Sequence, residues 1–97
     1  MKVEIHELAA YELRDAIDWY DSQLEGLGKR FKSSVNSQVT KLKNHPTWFP
    51  KEDGEIYKAY IPKFPYKILF IAKHKTITIL AIAHLHRKPY YWQTRAI

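Results

Sequence analysis

Cysteine is absent from this chain of 97 residues, which excludes disulfide bonds and thiolate metal sites. The N-terminal residues 1–7 carry charges where a signal peptide would need an apolar segment. The longest purely apolar runs, such as Ile68–Ala72, are far too short to span a membrane. From these absences we expect a soluble protein of the cytoplasm without membrane contact.

Acidic residues are missing from one part of the chain, since none follows Glu55. Residues 55–97 hold eight basic residues and one acidic residue, a formal charge of +7, whereas residues 1–54 hold eight basic and nine acidic residues, a formal charge of −1. A basic excess can serve solubility alone. Its one-sided distribution also suits an anionic partner, either nucleic acid or an acidic protein segment.

Several catalytic motifs are absent as well. The sequence contains no Ser-His-Asp arrangement, no glycine-rich phosphate loop, no metal-binding HExxH motif and no paired carboxylates. We therefore predict neither a metal nor a cofactor. An enzyme of this composition would need chemistry without a nucleophilic side chain, and RNA cleavage by acid, base and cations meets that condition.

Apolar periodicity predicts two helices that follow a short strand over Lys2–Ile5. The first helix begins near Glu7, and its apolar stripe consists of Leu13, Ile17, Tyr20, Leu24 and Leu27. Gly26 and Gly28 favour a stop at that point. The second helix runs from about Lys29 to Asn44, with Phe31, Val35, Val39 and Leu42 on one side. So short a connection places the two helices side by side as a hairpin.

The second half of the chain predicts three strands after a loop that ends near Gly54. They cover Glu55–Ile61, Tyr66–Lys73 and Thr76–Leu85. Pro62 and Pro65 mark the first turn, because proline has no N–H for a sheet ladder, and a tight connection at His74 and Lys75 makes the second. The fold class predicted is α+β: a single domain of residues 1–97 with order β-α-α-β-β-β, whose helical hairpin packs on one face of an antiparallel sheet.

Alternation along the last strand predicts which residues share a face. Ala81 and Ala83 are small enough for close helix packing, so we expect their face to contact the hairpin. His84 and His86 would then line a groove on the opposite face, with Arg87 at its rim. The two imidazoles have three interpretations: zinc ligands, which would lack a third ligand nearby; structural residues; or acid–base and phosphate-contact groups.

The basic and aromatic residues of the second half are the candidates for function. Lys58, Lys63 and Arg87 are hard to explain as packing and suit a phosphodiester, and Arg87 can bind phosphate through two parallel hydrogen bonds. The aromatic rings of Tyr90–Trp92 could stack on bases, or they could pack the C-terminal segment back onto the sheet. Both interpretations of the aromatic tail remain open from the sequence.

Four motifs in order resemble the RelE/ParE superfamily, toxins of type II toxin–antitoxin modules that include the plasmid-stabilisation proteins. They are the Tyr20-Asp21 helix end, the Gly26-Leu27-Gly28 connection leading to Phe31, the Phe64-Pro65-Tyr66 turn, and the closing His84-x-x-Arg87-x-Pro89-x-x-Trp92. The similarity covers nearly the whole chain. It implies a growth-inhibiting cytoplasmic toxin that is neutralised by an antitoxin through an acidic, partly disordered segment, with operator DNA bound only through the antitoxin.

The family divides by target, and the resemblance leaves both targets open. ParE-like members poison DNA gyrase, whereas RelE-like members cut mRNA on the ribosome without a metal. The Phe-Pro-Tyr and His-x-x-Arg-x-Pro motifs favour the ParE-like group, although Lys58 stands where many ParE-like relatives carry Arg, and Lys88 where Asp is common. If the chain is a ribonuclease, the resemblance implies the catalytic residues Lys58, His84, Arg87 and Tyr90. The residues expected to bind target or phosphate are Lys63, His86, Lys88, Tyr91, Trp92 and Arg95.

Overall fold

The computed structural model describes residues 1–96. Its helices and strands are β1 (Lys2–Ile5), α1 (Glu7–Gln23), α2 (Leu27–Asn44), β2 (Lys51–Asp53), β3 (Ile56–Tyr60), β4 (Tyr66–Lys73) and β5 (Thr76–His84). Single turns of 3₁₀ helix occupy Pro46–Trp48 and Gln93–Ala96. The second helix and the three long strands are confirmed to within two residues at each end. The first helix is confirmed too, but it ends at Gln23, so Leu24 caps it and Leu27 already belongs to α2. The segment Lys51–Asp53, expected to be loop, is a short strand instead.

The helical hairpin depends on a close approach of α1 to α2. The carboxylate of Asp21 accepts a hydrogen bond from the N–H of Gly28 at 2.7 Å. A Cβ atom at Gly28 would collide with the carbonyl oxygen of Ile17 and with the Asp21 side chain. Gly26, with φ of 86°, turns the chain into α2 in a backbone conformation that glycine adopts at no steric cost. The two predicted glycine positions therefore form the connection, and Gly28 also permits the packing.

The sheet has the strand order β1-β5-β4-β3-β2. Strands β3 to β5 form the predicted antiparallel meander, to which β2 adds in antiparallel beside β3. Strand β1 pairs with β5 in parallel, with Lys2 opposite Thr76 and Ile5 opposite Ile79. The sheet is therefore mixed, whereas we had expected a purely antiparallel sheet from the meander alone. The helical hairpin covers one face, as predicted, and encloses the main core there.

A β-bulge in β5 changes which side chains face the helices. Leu69 pairs with Ala81 and Phe70 pairs with Ile79, so Leu80 is an extra residue in the ladder. Ile77 and Ile79 pack towards the helices, but Ala81 and Ala83 belong to the cluster on the opposite face. The prediction that the two alanines contact the hairpin is wrong, because the extra residue shifts the alternation by one position.

The C-terminal segment covers the face of the sheet opposite the helices. Trp92 is only 2% exposed and packs with Ile56, Leu69, Leu80, Ala81 and Ala83 in a second apolar cluster. Of the two interpretations of the aromatic tail, the structure supports packing for Trp92. Within residues 1–96, neither helix is both long and apolar enough to cross a membrane.

Candidate functional site

The structure separates two of the predicted ribonuclease residues, Lys58 and His84. Lys58 lies between Tyr57 and Ala59, whose side chains face the helices, so its own side chain projects from the opposite face. His84 lies on the helix side of the sheet, where its ring meets the ring of Tyr66 edge-on at 5.0 Å. The expected position of His84, in a groove on the face opposite the helices, is wrong, because the β5 bulge moves it to the helix side.

His84 instead lies at the end of a cleft between α1 and β5. The cleft has a volume of about 300 Å³, and its polar or aromatic lining residues are Glu12, Asp15, Trp19, Tyr66, His84 and Arg87. Burial raises the pKa of the Tyr66 phenol, and the Glu12 carboxylate adds to the effect. Tyr66 thus presents a protonated hydroxyl beside the imidazole of His84.

Arg87 is the predicted site residue with the most accessible charge in this cleft. Its guanidinium lies over the ring of Tyr91, 4.0 Å from the ring centre, and its side chain is 54% exposed. The nearest carboxylate oxygen, on Glu12, is 3.9 Å from Nη1. The aromatic ring orients the guanidinium while leaving its N–H groups free to meet a carboxylate or phosphate of a partner.

Glu12 holds the C-terminal segment in place and was not identified from the sequence. Its carboxylate accepts hydrogen bonds from the N–H of Ile82, the hydroxyl of Tyr91 and the guanidinium of Arg95, at 2.7 to 3.1 Å. Arg95 also donates to the carbonyl of Leu80 at 3.1 Å. Both backbone groups lie on the outer edge of β5, beyond the end of β1, where the sheet offers them no partner.

This network changes the interpretation of two predicted binding residues. The Arg95 side chain is 9% exposed and its charge is already paired with Glu12. Its expected role in binding target or phosphate stays a prediction, which this pairing disfavours. Burial, followed by the hydrogen bond to Glu12, raises the pKa of the Tyr91 hydroxyl well above its usual range. Tyr91 therefore donates its hydroxyl hydrogen to Glu12. Trp92, expected to bind target or phosphate, is buried.

The remaining predicted residues lie on the surface. Tyr90 is 51% exposed, with its backbone in the left-handed region at φ of 62° and its ring 5.8 Å from that of Trp92. His86 and Lys88 are exposed beside His84 and Arg87, and the N–H of His86 donates to Nδ1 of His84 at 3.0 Å. Lys63 is exposed in the turn between β3 and β4.

A second charged cluster lies on the face of the sheet opposite the helices. The Glu52 carboxylate is 2.9 Å from Nζ of Lys67 and 3.9 Å from Nζ of Lys58, and all three side chains are less than one-third exposed. Glu52 was missed because its segment was predicted to be a loop, and without Glu52 nothing drew attention to Lys67. The short strand β2 places it beside β3, and alternation from the assigned strand Tyr66–Lys73 could have put Lys67 on the same face as Lys58. Within residues 1–96, no three His, Asp or Glu side chains are grouped as metal ligands.

Comparison with known proteins identifies the fold. No protein-family model matches the chain, and no curated protein matches its sequence. A chain of the chromosomal ParDE toxin–antitoxin system from P. aeruginosa has a TM-score of 0.77 and 22% sequence identity, over 87% of this chain and 95% of that chain. The isolated E. coli RelE toxin has a TM-score of 0.67 and 12% identity, over 96% of this chain and 93% of that one. The predicted fold class, α+β and RelE/ParE-like, is thereby confirmed.

Proposed function

We propose that this chain is the toxin of a type II toxin–antitoxin module and that it inhibits growth by binding a protein target, with DNA gyrase as the leading candidate. One observation carries the choice of protein binding over RNA cleavage: Lys58 and His84 lie on opposite faces of the sheet. The motifs that resemble ParE-like toxins and the likeness to a ParDE structure support the same choice.

The cleft beside Arg87 has the composition of a protein-binding surface. Exposed Trp19, 56% accessible, and the half-buried ring of Tyr66 form its apolar part, and Arg87 supplies an oriented charge. Tryptophan, tyrosine and arginine are the residues that most often dominate the binding energy of protein interfaces. An antitoxin would bind the same chain as its neutralising partner, and operator DNA would be reached only through that antitoxin.

Growth of a bacterial host tests the toxin assignment directly. We expect inducible expression to stop growth within a few generations, and co-expression of the antitoxin gene, where it is identified beside this gene, to restore it. Normal growth despite accumulation of folded protein would contradict the assignment.

Supercoiling by purified gyrase tests the target. The protein should inhibit supercoiling or trap cleaved DNA at micromolar concentration, and Arg87→Ala should require roughly tenfold more protein for the same effect, as expected for one interface hot spot. The matched control is Arg14→Ala, because Arg14 is also exposed and lies over a tyrosine ring, 4.6 Å from the centre of Tyr11. An unaffected gyrase would rule out this target.

RNA cleavage is the second candidate, and the cluster of Glu52, Lys58 and Lys67 is the observation that favours it. The carboxylate could take a proton from a ribose 2′-hydroxyl while the two ammonium groups stabilise charge on the phosphate and protonate the leaving 5′-oxygen. Mapping of transcript ends in induced cells separates the candidates. Cleavage within translated codons that disappears in Lys67→Met would replace the gyrase proposal, whereas growth arrest with intact transcripts would exclude cleavage.

A further inference from the structure

Strand β1 lies at one edge of the sheet, and its side away from β5 is open. Within residues 1–96, β5 is the one strand that pairs with β1. The N–H groups of Lys2 and His6 donate to carbonyl oxygens on the β5 side, at 3.1 and 2.8 Å. Because the direction of the backbone groups alternates along a strand, those of Val3 and Ile5 point outwards. This edge can therefore accept another strand.

Exposed apolar side chains lie beside the open edge on the helix side of the sheet. Val3 packs against the main core, so its side chain faces the helices, and alternation gives Ile5 the same direction. Ile5, Met1 and Leu8, the last in the first turn of α1, are each more than 40% exposed. A strand added at the edge would remove part of this apolar surface from water.

Lys2 and Glu4 carry opposite charges on the other face of the strand, since they alternate with Val3. Nζ of Lys2 lies 3.0 Å from a carboxylate oxygen of Glu4, and the two side chains are 71% and 52% exposed. An ion pair this exposed contributes little to stability, so both charges can exchange it for partners outside the chain. The two opposite charges are thus placed symmetrically, one residue before and one residue after Val3.

Strand β1 has four residues, and three of them cannot lie on a two-fold axis that pairs β1 with an antiparallel copy of itself. Residues opposite each other in such a ladder must both point their backbone groups towards the seam or both away from it, so the axis passes through a residue. An axis at Lys2 or at Glu4 places like charges directly opposite each other, which destabilises the pairing. An axis at Ile5 would pair Val3 with Glu7, where α1 begins and the backbone is no longer extended.

An axis at Val3 satisfies both the backbone and the charges. Val3 of each copy would donate its N–H to the Val3 carbonyl of the other copy and accept a hydrogen bond in return. Lys2 of each copy would lie opposite Glu4 of the other, so two ion pairs form across the seam. Ile5 would lie opposite Met1 of the second copy, which brings two exposed apolar side chains together. The paired segment ends before α1 begins.

We propose that two copies of this chain associate by antiparallel pairing of their β1 strands about a two-fold axis at Val3, which joins two five-stranded sheets into one. The charges of β1 complement an inverted copy of β1, which favours a second copy over an unrelated peptide. So short a strand buries far less than the roughly 1,600 Å² of a standard interface, so the dimer is weak, with a Kd on the order of 100 μM. None of residues 1–5 lines the cleft beside Arg87, so this contact is additional to the proposed function.

Sedimentation equilibrium of the purified full chain tests the association. The average mass should rise from the monomer value of 11.5 kDa towards twice that value as the concentration increases from about 10 μM to about 1 mM. Lys2→Glu places carboxylates opposite each other twice across the seam and should raise the Kd about tenfold. The double variant Lys2→Glu/Glu4→Lys exchanges the two charges and should restore the original Kd. Lys32→Glu is the matched control, because Lys32 is exposed on α2 and the net charge changes equally, and it should leave the Kd unchanged.

The absence of cysteine from the chain allows the register to be tested by disulfide formation. Facing residues whose backbone groups point away from the seam have Cα atoms about 4.5 Å apart, within the range that a disulfide spans. An oxidised mixture of Lys2→Cys and Glu4→Cys should therefore form a cross-linked dimer at least about tenfold faster than either variant alone. In the mixed dimer the remaining Lys2 and Glu4 still face each other. Both positions are exposed, so these changes leave the fold intact.

The β1 dimer and the toxin assignment can fail separately. A mass of 11.5 kDa that persists at about 1 mM would show that the edge stays unpaired and would overturn the dimer. Association that is equally strong in Lys2→Glu, or cross-linking that is equally fast in a single cysteine variant, would place the contact elsewhere and would also overturn it. Growth arrest by a protein that stays monomeric refutes the dimer alone, and a dimer of this register in a protein that leaves growth unaffected refutes the toxin assignment alone.

Discussion

The stability of the C-terminal segment should depend on the charge of Glu12. Its carboxylate and the Arg95 guanidinium form an ion pair at 2.9 Å whose side chains are 14% and 9% exposed. Removing one member of a buried pair costs about 3–5 kcal/mol, because the other charge is left without compensation. Glu12→Gln keeps an oxygen for the Ile82 N–H, so we expect the lower value, about 3 kcal/mol.

A loss of this size is large for a domain of 97 residues. Folded domains are stabilised by about 5–15 kcal/mol in total, and 1 kcal/mol corresponds to about 4–8 °C in Tm at this chain length. Glu12→Gln should therefore lower Tm by about 12–24 °C. Urea unfolding followed by tryptophan fluorescence measures the same loss, because buried Trp92 reports release of the segment from the sheet.

The matched control is Glu4→Gln, which breaks the ion pair of Glu4 with Lys2 at 3.0 Å. The two side chains of that pair are 52% and 71% exposed, so the change in free energy of unfolding should stay within about 0.5 kcal/mol. If Glu12→Gln destabilised the protein no more than Glu4→Gln does, the segment would be held by the packing of Trp92 alone, and the role given to the carboxylate would be refuted.

Three further predictions concern backbone geometry and pH. Gly28→Ala should destabilise the protein by about 1–3 kcal/mol in urea unfolding, because its Cβ would collide with Ile17; an unchanged midpoint would contradict the close helix contact. Lys75→Gly should raise the free energy of unfolding by about 0.5–1 kcal/mol, because Lys75 has a φ of 60°, which is strained for a residue with a Cβ atom. A loss of stability would show that the contacts of the lysine side chain outweigh this strain. Burial raises the pKa of Tyr91 in the folded protein. Its contribution to the free energy of unfolding is therefore complete below the pKa of tyrosine in the unfolded chain, about 10, and is lost as pH rises above that value. Between about pH 9 and 11, the free energy of unfolding should decline less with rising pH in Tyr91→Phe than in the unchanged protein. An equal decline would exclude a contribution of the Tyr91 phenol to stability.

The helices could be predicted from the sequence because their signals are local. Phe31, Val35 and Leu42 recur at helical spacing and are all buried, and glycine at position 28 allows the hairpin to close. The parallel pairing of β1 could not be predicted, because four residues of alternating polarity do not specify a partner seventy positions away. That pairing depends on which sheet edge is free after the meander has formed.

The candidate site was predicted less well, for a physical reason located at Leu80. One extra residue in β5 reverses the facing of every later side chain in the strand, so His84 leaves the face that carries Lys58. No glycine or proline marks this bulge in the sequence. Arg87 was identified correctly as an exposed cation, but the partners of Arg95 could not be, because Glu12 is 83 residues away in sequence.

The position of β5 inside the sheet has a consequence for synthesis. Strand β5 is flanked by β1, from the start of the chain, and by β4, and the segment after it covers the sheet and binds Glu12. A ribosome must therefore release nearly the whole chain before β1 has a partner. Messages truncated before residue 79 would yield chains with an unpaired N-terminal strand and an uncovered sheet, which are substrates for proteolysis. Interrupted translation of this gene is therefore expected to yield chains that lack the partner strand of β1.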